Sequence, residues 1–194
     1  QAKFGDTPVN CPVENYGEIV SGAFHAKVTN YKLISNGDFV EQVINKADAI
    51  INGGTFKRSV SNSGTVKAGV FGTAPSGLAY YILDADNSTI NRILSNTAYI
   101  IVKEPDNSPE ITVESLTGKK FLNWTAEGMK IESGKETSNP LIFTAPTASE
   151  SGKIVLTAIK IKSDVVVGED GIPTENGEPY KGSEYDGWTY DIQH

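Results

Sequence analysis

The chain has 194 residues and a formal net charge of −7, with one cysteine and two histidines. A chain of this length can bury an ordinary hydrophobic core, and a single cysteine, Cys11, excludes an intrachain disulfide and a cysteine-based metal site. Residues 1–162 are neutral overall and contain no lysine and arginine cluster, which argues against nucleic-acid binding, because that requires concentrated positive charge.

The N-terminal segment, residues 1–17, shows little hydrophobic periodicity and holds two prolines and two glycines. This composition predicts an extended arm that reaches a neighbouring molecule. A terminus that lies on the surface of its own domain is an equally good interpretation.

The next stretch predicts strands first and then offers two alternatives. Phe24, Ala26 and Val28 alternate with polar residues, as in a half-buried strand, and residues 35–38 form a turn. From Asp38 to Ile51 the apolar residues fall at helical spacing, with Asp38 and Glu41 as a capping box. The alternative is a hairpin whose second arm is 38–44, followed by another strand over 49–56.

From Thr55 onward, β-branched runs alternate with Gly, Pro, Asn and Asp, as in an all-β sandwich or barrel. We expect a β domain over 18–106, a second, immunoglobulin-like β section over 107–162 and a boundary near 105–109, with no internal repeat. The predicted buried residues are Val66, Leu78, Ile82, Ile101, Val155 and Ile159. The predicted fold is mainly β, an antiparallel sandwich or barrel in one or two sections, with at most one or two short helices.

The C-terminal segment, residues 163–194, carries the whole charge imbalance, with eight acidic side chains and one basic one. Its glycines, prolines and charges leave little to bury, so we expect residues 169–177 to be exposed. Aromatic residues cluster near its end, and such residues are common anchors at interfaces. The candidate partner contacts of the chain are Phe4, Tyr16, Tyr180, Tyr185, Trp188 and Tyr190.

The sequence offers few candidates for catalysis. His25 falls on the polar side of a predicted strand and His194 is the last residue, and no nucleophile, zinc or phosphate-loop motif is present. The run 84–88 resembles a calcium loop, but an EF-hand requires glycine and glutamate where Thr89 and Ser95 stand. We therefore expect a protein that is not an enzyme and holds no metal or cofactor.

A family resemblance suggests a function. The phrases SGAFHAKVTNYKLISNGDFV (21–40), GLAYYILDADN (77–87) and TAEGMKIESG (125–134) resemble decoration, or minor capsid, proteins of tailed bacteriophages. In that family a phrase like that of residues 36–40 lies in a β hairpin. The resemblance implies a protein on the capsid exterior that bridges major-capsid subunits, or copies of itself, and stabilises the shell.

Two other classes remain as alternatives. Residues 140–162 look like bacterial immunoglobulin-like repeats, which suggests a secreted or surface-attached adhesin or pilin-like module. A carbohydrate-binding module comes third, with Trp124 or Trp188 as the stacking platform, and a core position is the favoured interpretation of Trp124. No apolar run is long enough to span a membrane. No signal peptide is recognised, but the chain starts at Gln1 and secretion stays open.

Overall fold

The computed structural model describes residues 2–5, 7–85, 88–101, 110–113, 119–128, 130–131, 133–142, 152–162, 165–167, 173–175 and 178–179. Strands are the only regular elements within these residues, which confirms a mainly β protein. The strands are β1 Ala2–Lys3, β2 Val13–Asn15, β3 Glu18–Ser21, β4 Ala23–Phe24, β5 Val28–Asn30, β6 Leu33–Ile34, β7 Asp38–Phe39, β8 Val43–Asn45, β9 Ile50–Ile51, β10 Thr55–Phe56, β11 Val60–Asn62, β12 Thr65–Val66, β13 Gly69–Phe71, β14 Tyr81–Ala85, β15 Ser88–Ile90, β16 Thr97–Ile101, β17 Glu110–Val113, β18 Lys119–Glu127, β19 Leu141–Ile142, β20 Gly152–Lys162, β21 Val165–Val167, β22 Pro173–Glu175 and β23 Glu178–Pro179.

The N-terminal half is a parallel β-solenoid of about four turns, so the expected antiparallel sandwich or barrel is wrong. Each turn places one short strand on each of three sides. Sheet 1 has the strand order β1-β3-β6-β9-β12, and sheet 2 has the order β11-β8-β5-β2. The third side belongs to an eight-stranded sheet, the shared sheet, with the order β18-β20-β14-β16-β13-β10-β7-β4. All strand pairs between solenoid turns are parallel.

A sequence repeat underlies the solenoid, so the expectation of no internal repeat is wrong. Three successive stretches, 22–30, 37–45 and 54–62, read Gly-x-Phe-x-x-x-Val-x-Asn, and Gly-x-Phe occurs a fourth time at 69–71. The asparagines of successive turns are 15, 15 and 17 residues apart. The glycines of this pattern are Gly22, Gly37, Gly54 and Gly69, all with φ between 111° and 148°. A Cβ on Gly54 would lie 3.0 Å from the Gly37 carbonyl oxygen and 3.2 Å from the Phe39 ring. Glycine therefore lets successive turns approach closely at this corner.

Both alternatives for residues 38–51 are wrong. The segment forms three strands, β7, β8 and β9, on three sides of one turn. Val43 and Ile51, which belonged to the helical pattern, are both fully buried, but they point into the solenoid from different sides. A hairpin is excluded because Phe39 pairs in parallel with Phe24 of the turn before and Phe56 of the turn after.

The C-terminal half is built on the shared sheet. Strand β16 pairs antiparallel with β13, the last solenoid strand, and β14, β20 and β18 extend the sheet further. A three-stranded antiparallel sheet, sheet 3, has the order β15-β17-β19. Apolar side chains of sheet 3 and of the shared sheet form one buried cluster, to which Ile90, Ile111, Leu83 and Trp124 belong. The solenoid has its own cluster, with Phe24, Phe39, Phe56 and Phe71.

Burial agrees with the sequence prediction at two of six positions. Ile101 and Ile159 are buried. The other four are half-buried, because Val66 lies in the last strand of sheet 1 and the buried side of β20 is that of Ile154 and Leu156 rather than of Val155. Leu78 and Ile82 complete the four.

Several expectations concern the two ends of the chain. The segment assigned to an arm contributes β1, which pairs with β3, and β2, which pairs with β5. The expected boundary at 105–109 and the aromatic residues at 180–190 lie outside the described residues. Of the segment expected to be exposed, only 173–175 is described, and Thr174 there is half-buried. No helix in the described part of the chain is long and apolar enough to cross a membrane.

Candidate functional site

A ladder of asparagines forms the corner of the solenoid that follows sheet 2. Asn15 Nδ2 donates to Asn30 Oδ1 at 2.7 Å, Asn30 Nδ2 to Asn45 Oδ1 at 2.8 Å, and Asn45 Nδ2 to Asn62 Oδ1 at 2.8 Å. Asn30 and Asn45 are fully buried. The amides of Asn15, Asn30 and Asn45 also donate to a backbone carbonyl of the next turn. The ladder therefore fixes the spacing between successive turns.

The residue after the asparagine points outward and is tyrosine in two successive turns. The Tyr16 and Tyr31 rings stack in parallel, with centroids 4.5 Å apart and an interplanar angle of 8°. Tyr16 is 65% exposed, and its hydroxyl donates to Glu14 Oε2 at 2.9 Å. We call Glu14, Tyr16 and Tyr31 the tyrosine patch. Its geometry is that of an exposed, pre-ordered aromatic contact, a type favoured at protein interfaces.

The tyrosine patch leads to a pH prediction. The hydrogen bond that the Tyr16 hydroxyl donates to Glu14 raises the pKa of Tyr16 to about 12, with smaller contributions from partial desolvation and from the Glu14 charge. Because the folded pKa lies above the ordinary value of 10, the hydrogen bond from neutral Tyr16 contributes fully below pH 10. Its contribution is lost as the pH rises from 10 through 12. We expect Glu14→Gln to lower this pKa toward 10, measured by the ultraviolet absorbance of tyrosinate. Glu41→Gln, which removes a carboxylate that pairs with Arg58 and not with a tyrosine, is the control. A Tyr16 pKa that Glu14→Gln leaves unchanged would contradict the assignment.

Phe4, the other N-terminal candidate contact, is half-buried and packs edge-on against Phe24, with centroids 5.0 Å apart at 77°. Phe24 begins a stack of four parallel rings, each 4.9 Å from the next, that continues through Phe39, Phe56 and Phe71. Phe4 therefore lies across the N-terminal end of the solenoid core. The structure brings Phe4 and Tyr16 to the same end of the solenoid but on different sides, one facing inward and one outward.

A polar network joins the solenoid to the C-terminal half. Asp38 and Thr55 are neighbours on the outer side of the shared sheet. Asn91, in a turn after β15, donates from Nδ2 to Thr55 Oγ1 at 2.9 Å and accepts at Oδ1 from the Glu110 N–H at 2.7 Å. Asn91 and Arg92 both have positive φ, 49° and 63°, a conformation that asparagine tolerates better than most residues. The network holds this turn against the solenoid.

The network contains a titrating group, Asp38. Desolvation raises the pKa of Asp38, while the Thr55 hydrogen bond and the Arg92 charge lower it less. Because the folded pKa lies above the unfolded one, the folded state retains the proton longer, and stability falls as pH rises from about 4 through the folded pKa. We expect Asp38→Asn to flatten this fall in the free energy of unfolding, measured by urea denaturation at several pH values. Asp48→Asn, which makes the same chemical change at an exposed position, is the control, and an unchanged pH dependence in Asp38→Asn would contradict the prediction.

The remaining candidates do not converge on a site. Trp124 is buried and donates from Nε1 to the Ser138 carbonyl at 2.9 Å, which confirms the interpretation of Trp124 as a core tryptophan and excludes it as an exposed sugar platform. His25 is exposed. Within the described ranges, no group of three or more His, Cys, Asp or Glu residues is placed to hold a metal ion. Tyr180, Tyr185, Trp188 and Tyr190 lie outside those ranges.

Sequence reasoning missed Tyr31 and the asparagine ladder. The signal was present, because the dipeptide Asn-Tyr occurs at 15–16 and again at 30–31, one turn later. Comparison with known proteins adds no identification, since no protein-family model, curated protein or solved structure matches this chain. The phrase at 36–40 that carried the resemblance to phage proteins contains one copy of the Gly-x-Phe step, which recurs at Gly22, Gly54 and Gly69.

Proposed function

We propose that this protein is a non-enzymatic structural module of an extracellular assembly, which supplies a stiff segment and contacts other proteins through exposed parts of its solenoid. The single observation that carries the proposal is the interior of the solenoid, where four phenylalanine rings stack in register. An asparagine ladder runs beside them through the same turns.

The repeated interior favours stiffness for a physical reason. Each buried phenylalanine contributes about 1.5–3 kcal/mol from the area that it removes from water, and parallel ring contacts add about 0.5–1.5 kcal/mol per pair. Since each turn contacts only its neighbours, these contributions add along the axis, as in other solenoids. Bending the axis would open stacked rings and asparagine bonds together.

The preferred setting is the surface of a bacterial cell, where such a module would hold other domains or ligands away from the envelope. The tyrosine patch supports a role in contacting other proteins. Tyr16 is 65% exposed, and an aromatic pair left in water is unfavourable unless a partner covers it. We therefore keep the adhesin-like role as the first candidate, with a solenoid in place of the expected sandwich.

Decoration of a phage capsid is the second candidate, and one observation favours it. The shared sheet continues past β13 into β16, so further turns cannot be added at this end. The solenoid is thus a discrete body rather than a section of an indefinitely repeated stalk. A discrete body with a neutral surface suits many weak copies on a shell, which gain strength from multivalency.

The experiment is to find which particle carries the chain. Antibodies against residues 7–85 would be applied to purified cell envelopes, purified virions and the soluble cytosolic fraction, with mass spectrometry as confirmation. Recovery with envelopes supports the first candidate, and recovery with virions supports the second. Recovery in the cytosolic fraction alone would overturn the proposal of a structural surface module.

A further inference from the structure

The C-terminal edge of the solenoid carries strands without a following turn. β11 (Val60–Asn62) and β12 (Thr65–Val66) are the last strands of sheets 2 and 1, and in the described part of the chain each pairs with one neighbour. Each strand of sheet 2 begins with a valine, and in an earlier turn this valine donates its N–H to the next turn, from Val28 N to Gln42 O at 3.1 Å. Val60 holds the same position in β11, so its N–H points out of the open edge.

This edge lacks the features that normally block strand addition. From Val60 to Val66 the sequence is VSNSGTV, without a charge or a proline. Exposed edges in natural sheets are commonly protected by charges, prolines or bulges.

Apolar side chains at this end remain incompletely covered. Val28 and Val43, which begin the two middle strands of sheet 2, are 0% and 1% exposed, whereas Val60 is half-buried. Val66 of β12 aligns with the buried isoleucines of sheet 1 and is also half-buried. Leu78 and Tyr80, which pack against the apolar cluster of the solenoid, are half-buried as well. An added strand with inward-facing apolar residues would cover this surface.

The asparagine ladder also ends open here. Each earlier asparagine donates from Nδ2 to the asparagine of the next turn. Asn62, which is exposed, donates from Nδ2 to the Gly64 carbonyl of its own loop at 3.2 Å. The described residues place no acceptor at the forward position that Asn30, Asn45 and Asn62 fill in the earlier steps. A ligand with an asparagine at this corner would continue the ladder.

A whole second copy stacked on the same axis does not fit this edge. A further turn needs a place in all three sheets, and in the shared sheet that place beyond β13 is occupied by β16. Only the two sides formed by β11 and β12 are open. The occupant is therefore a single extended segment that follows two sides of a turn.

We propose that the Val60–Val66 edge binds an extended segment of a partner protein, which adds one parallel strand to sheet 2 and one to sheet 1. The segment carries Val-x-Asn-x-x-x-Ile or Val, with its asparagine beside Asn62 and its apolar residues beside Val60 and Val66. Lys67, directly after β12, favours acidic residues at the outward positions of the segment. This proposal rests on the proposed function and names the kind of contact that the module makes.

A fluorescently labelled peptide of residues 12–20, PVENYGEIV, tests the proposal. It places Val13, Asn15 and Ile19 at the required spacing and carries two glutamates at outward positions. We expect saturable binding to the intact protein by fluorescence anisotropy, and about tenfold weaker binding by the peptide with Asn15→Leu, which loses a buried amide pair.

Protein variants locate the binding edge. Val60→Pro removes an N–H that faces outward, so it should abolish peptide binding while the melting temperature changes little. Val60→Thr keeps the N–H and the branched shape and should retain binding. Equal binding by a scrambled peptide, or wild-type affinity in Val60→Pro, would overturn the proposal.

Hydrogen exchange gives a readout that does not depend on the folding of a variant. In the wild-type protein, saturating peptide should slow exchange of the Val60 and Val66 amides, and unchanged exchange at both would overturn the proposal. The result is separable from the proposed function. Recovery of the protein with envelopes or virions, together with no protection of this edge, would retain the structural module and reject this contact.

Discussion

Replacing Phe56 by alanine is expected to lower the free energy of unfolding by about 3–5 kcal/mol, as deletion of a fully buried aromatic ring does in other cores. Phe56 is 1% exposed and lies between Phe39 and Phe71, 4.9 Å from each ring centroid. The deletion opens a cavity in the middle of the stack. Neighbouring turns cannot close it, because their spacing is set by the parallel pairing of β10 with β7 and β13.

The measurement is urea denaturation followed by circular dichroism, with two matched variants. Phe56→Leu refills part of the cavity but loses both ring contacts, so it should cost about 1–3 kcal/mol. Tyr31→Ala removes one ring of the exposed stacked pair and should cost about 0.5–1 kcal/mol, since Tyr31 is 37% exposed. Equal losses in Phe56→Ala and Tyr31→Ala would contradict a stack that stabilises the solenoid through burial.

The mainly β class could be predicted from the sequence because it depends on composition and on the residues that interrupt the strands. β-branched residues separated by Gly, Asn and Asp favour strands in any β architecture. The same signals do not separate parallel from antiparallel pairing when strands are two or three residues long. Between Ala23 and Asn30 the chain leaves one side of the solenoid and joins the next, so the apparent alternation of Phe24, Ala26 and Val28 spans a corner and not one strand.

The repeat could have been found and was missed for a specific reason. Few positions of each turn recur, chiefly glycine, phenylalanine, valine, asparagine and isoleucine, and the extra two residues between Asn45 and Asn62 break a fixed period. Such repeats are recognised by aligning the Gly-x-Phe steps at Gly22, Gly37 and Gly54 rather than by local periodicity. The helical spacing over 38–51 is a coincidence of side-chain order, because only Val43 and Ile51 of that pattern are buried, and Ala47 is exposed.

The candidate contacts were predictable only in part. The exposure of Tyr16 follows from its place after an inward asparagine, which a repeat alignment reveals. Its stacking on Tyr31 follows from the parallel register of β2 with β5. The network of Asp38, Thr55 and Asn91 could not have been predicted, because Asn91 is 36 residues from Thr55 and no local pattern connects them.

Replacing Asn45 by alanine is expected to cost about 2–4 kcal/mol, because several buried polar groups lose partners together. Asn45 is 0% exposed. It accepts from Asn30 Nδ2 at 2.8 Å and donates to the carbonyls of Ala49 and Thr65 as well as to Asn62. The Ala49 carbonyl keeps its bond from the Thr65 N–H, so the loss falls mainly on Asn30 and on the Thr65 carbonyl.

Asn62→Ala is the matched control, since it makes the same chemical change in the same ladder at an exposed end. Asn45 would keep its bonds to two backbone carbonyls, so we expect a loss of only about 0.5–1 kcal/mol. Urea denaturation would compare both variants, and hydrogen exchange would show whether amides on both sides of residue 45 open together. Similar losses in the two variants would mean that the ladder stabilises its corner one bond at a time. A loss several-fold larger at residue 45 would show that burial makes the asparagines act as one network, which is the property that a stiff solenoid axis requires.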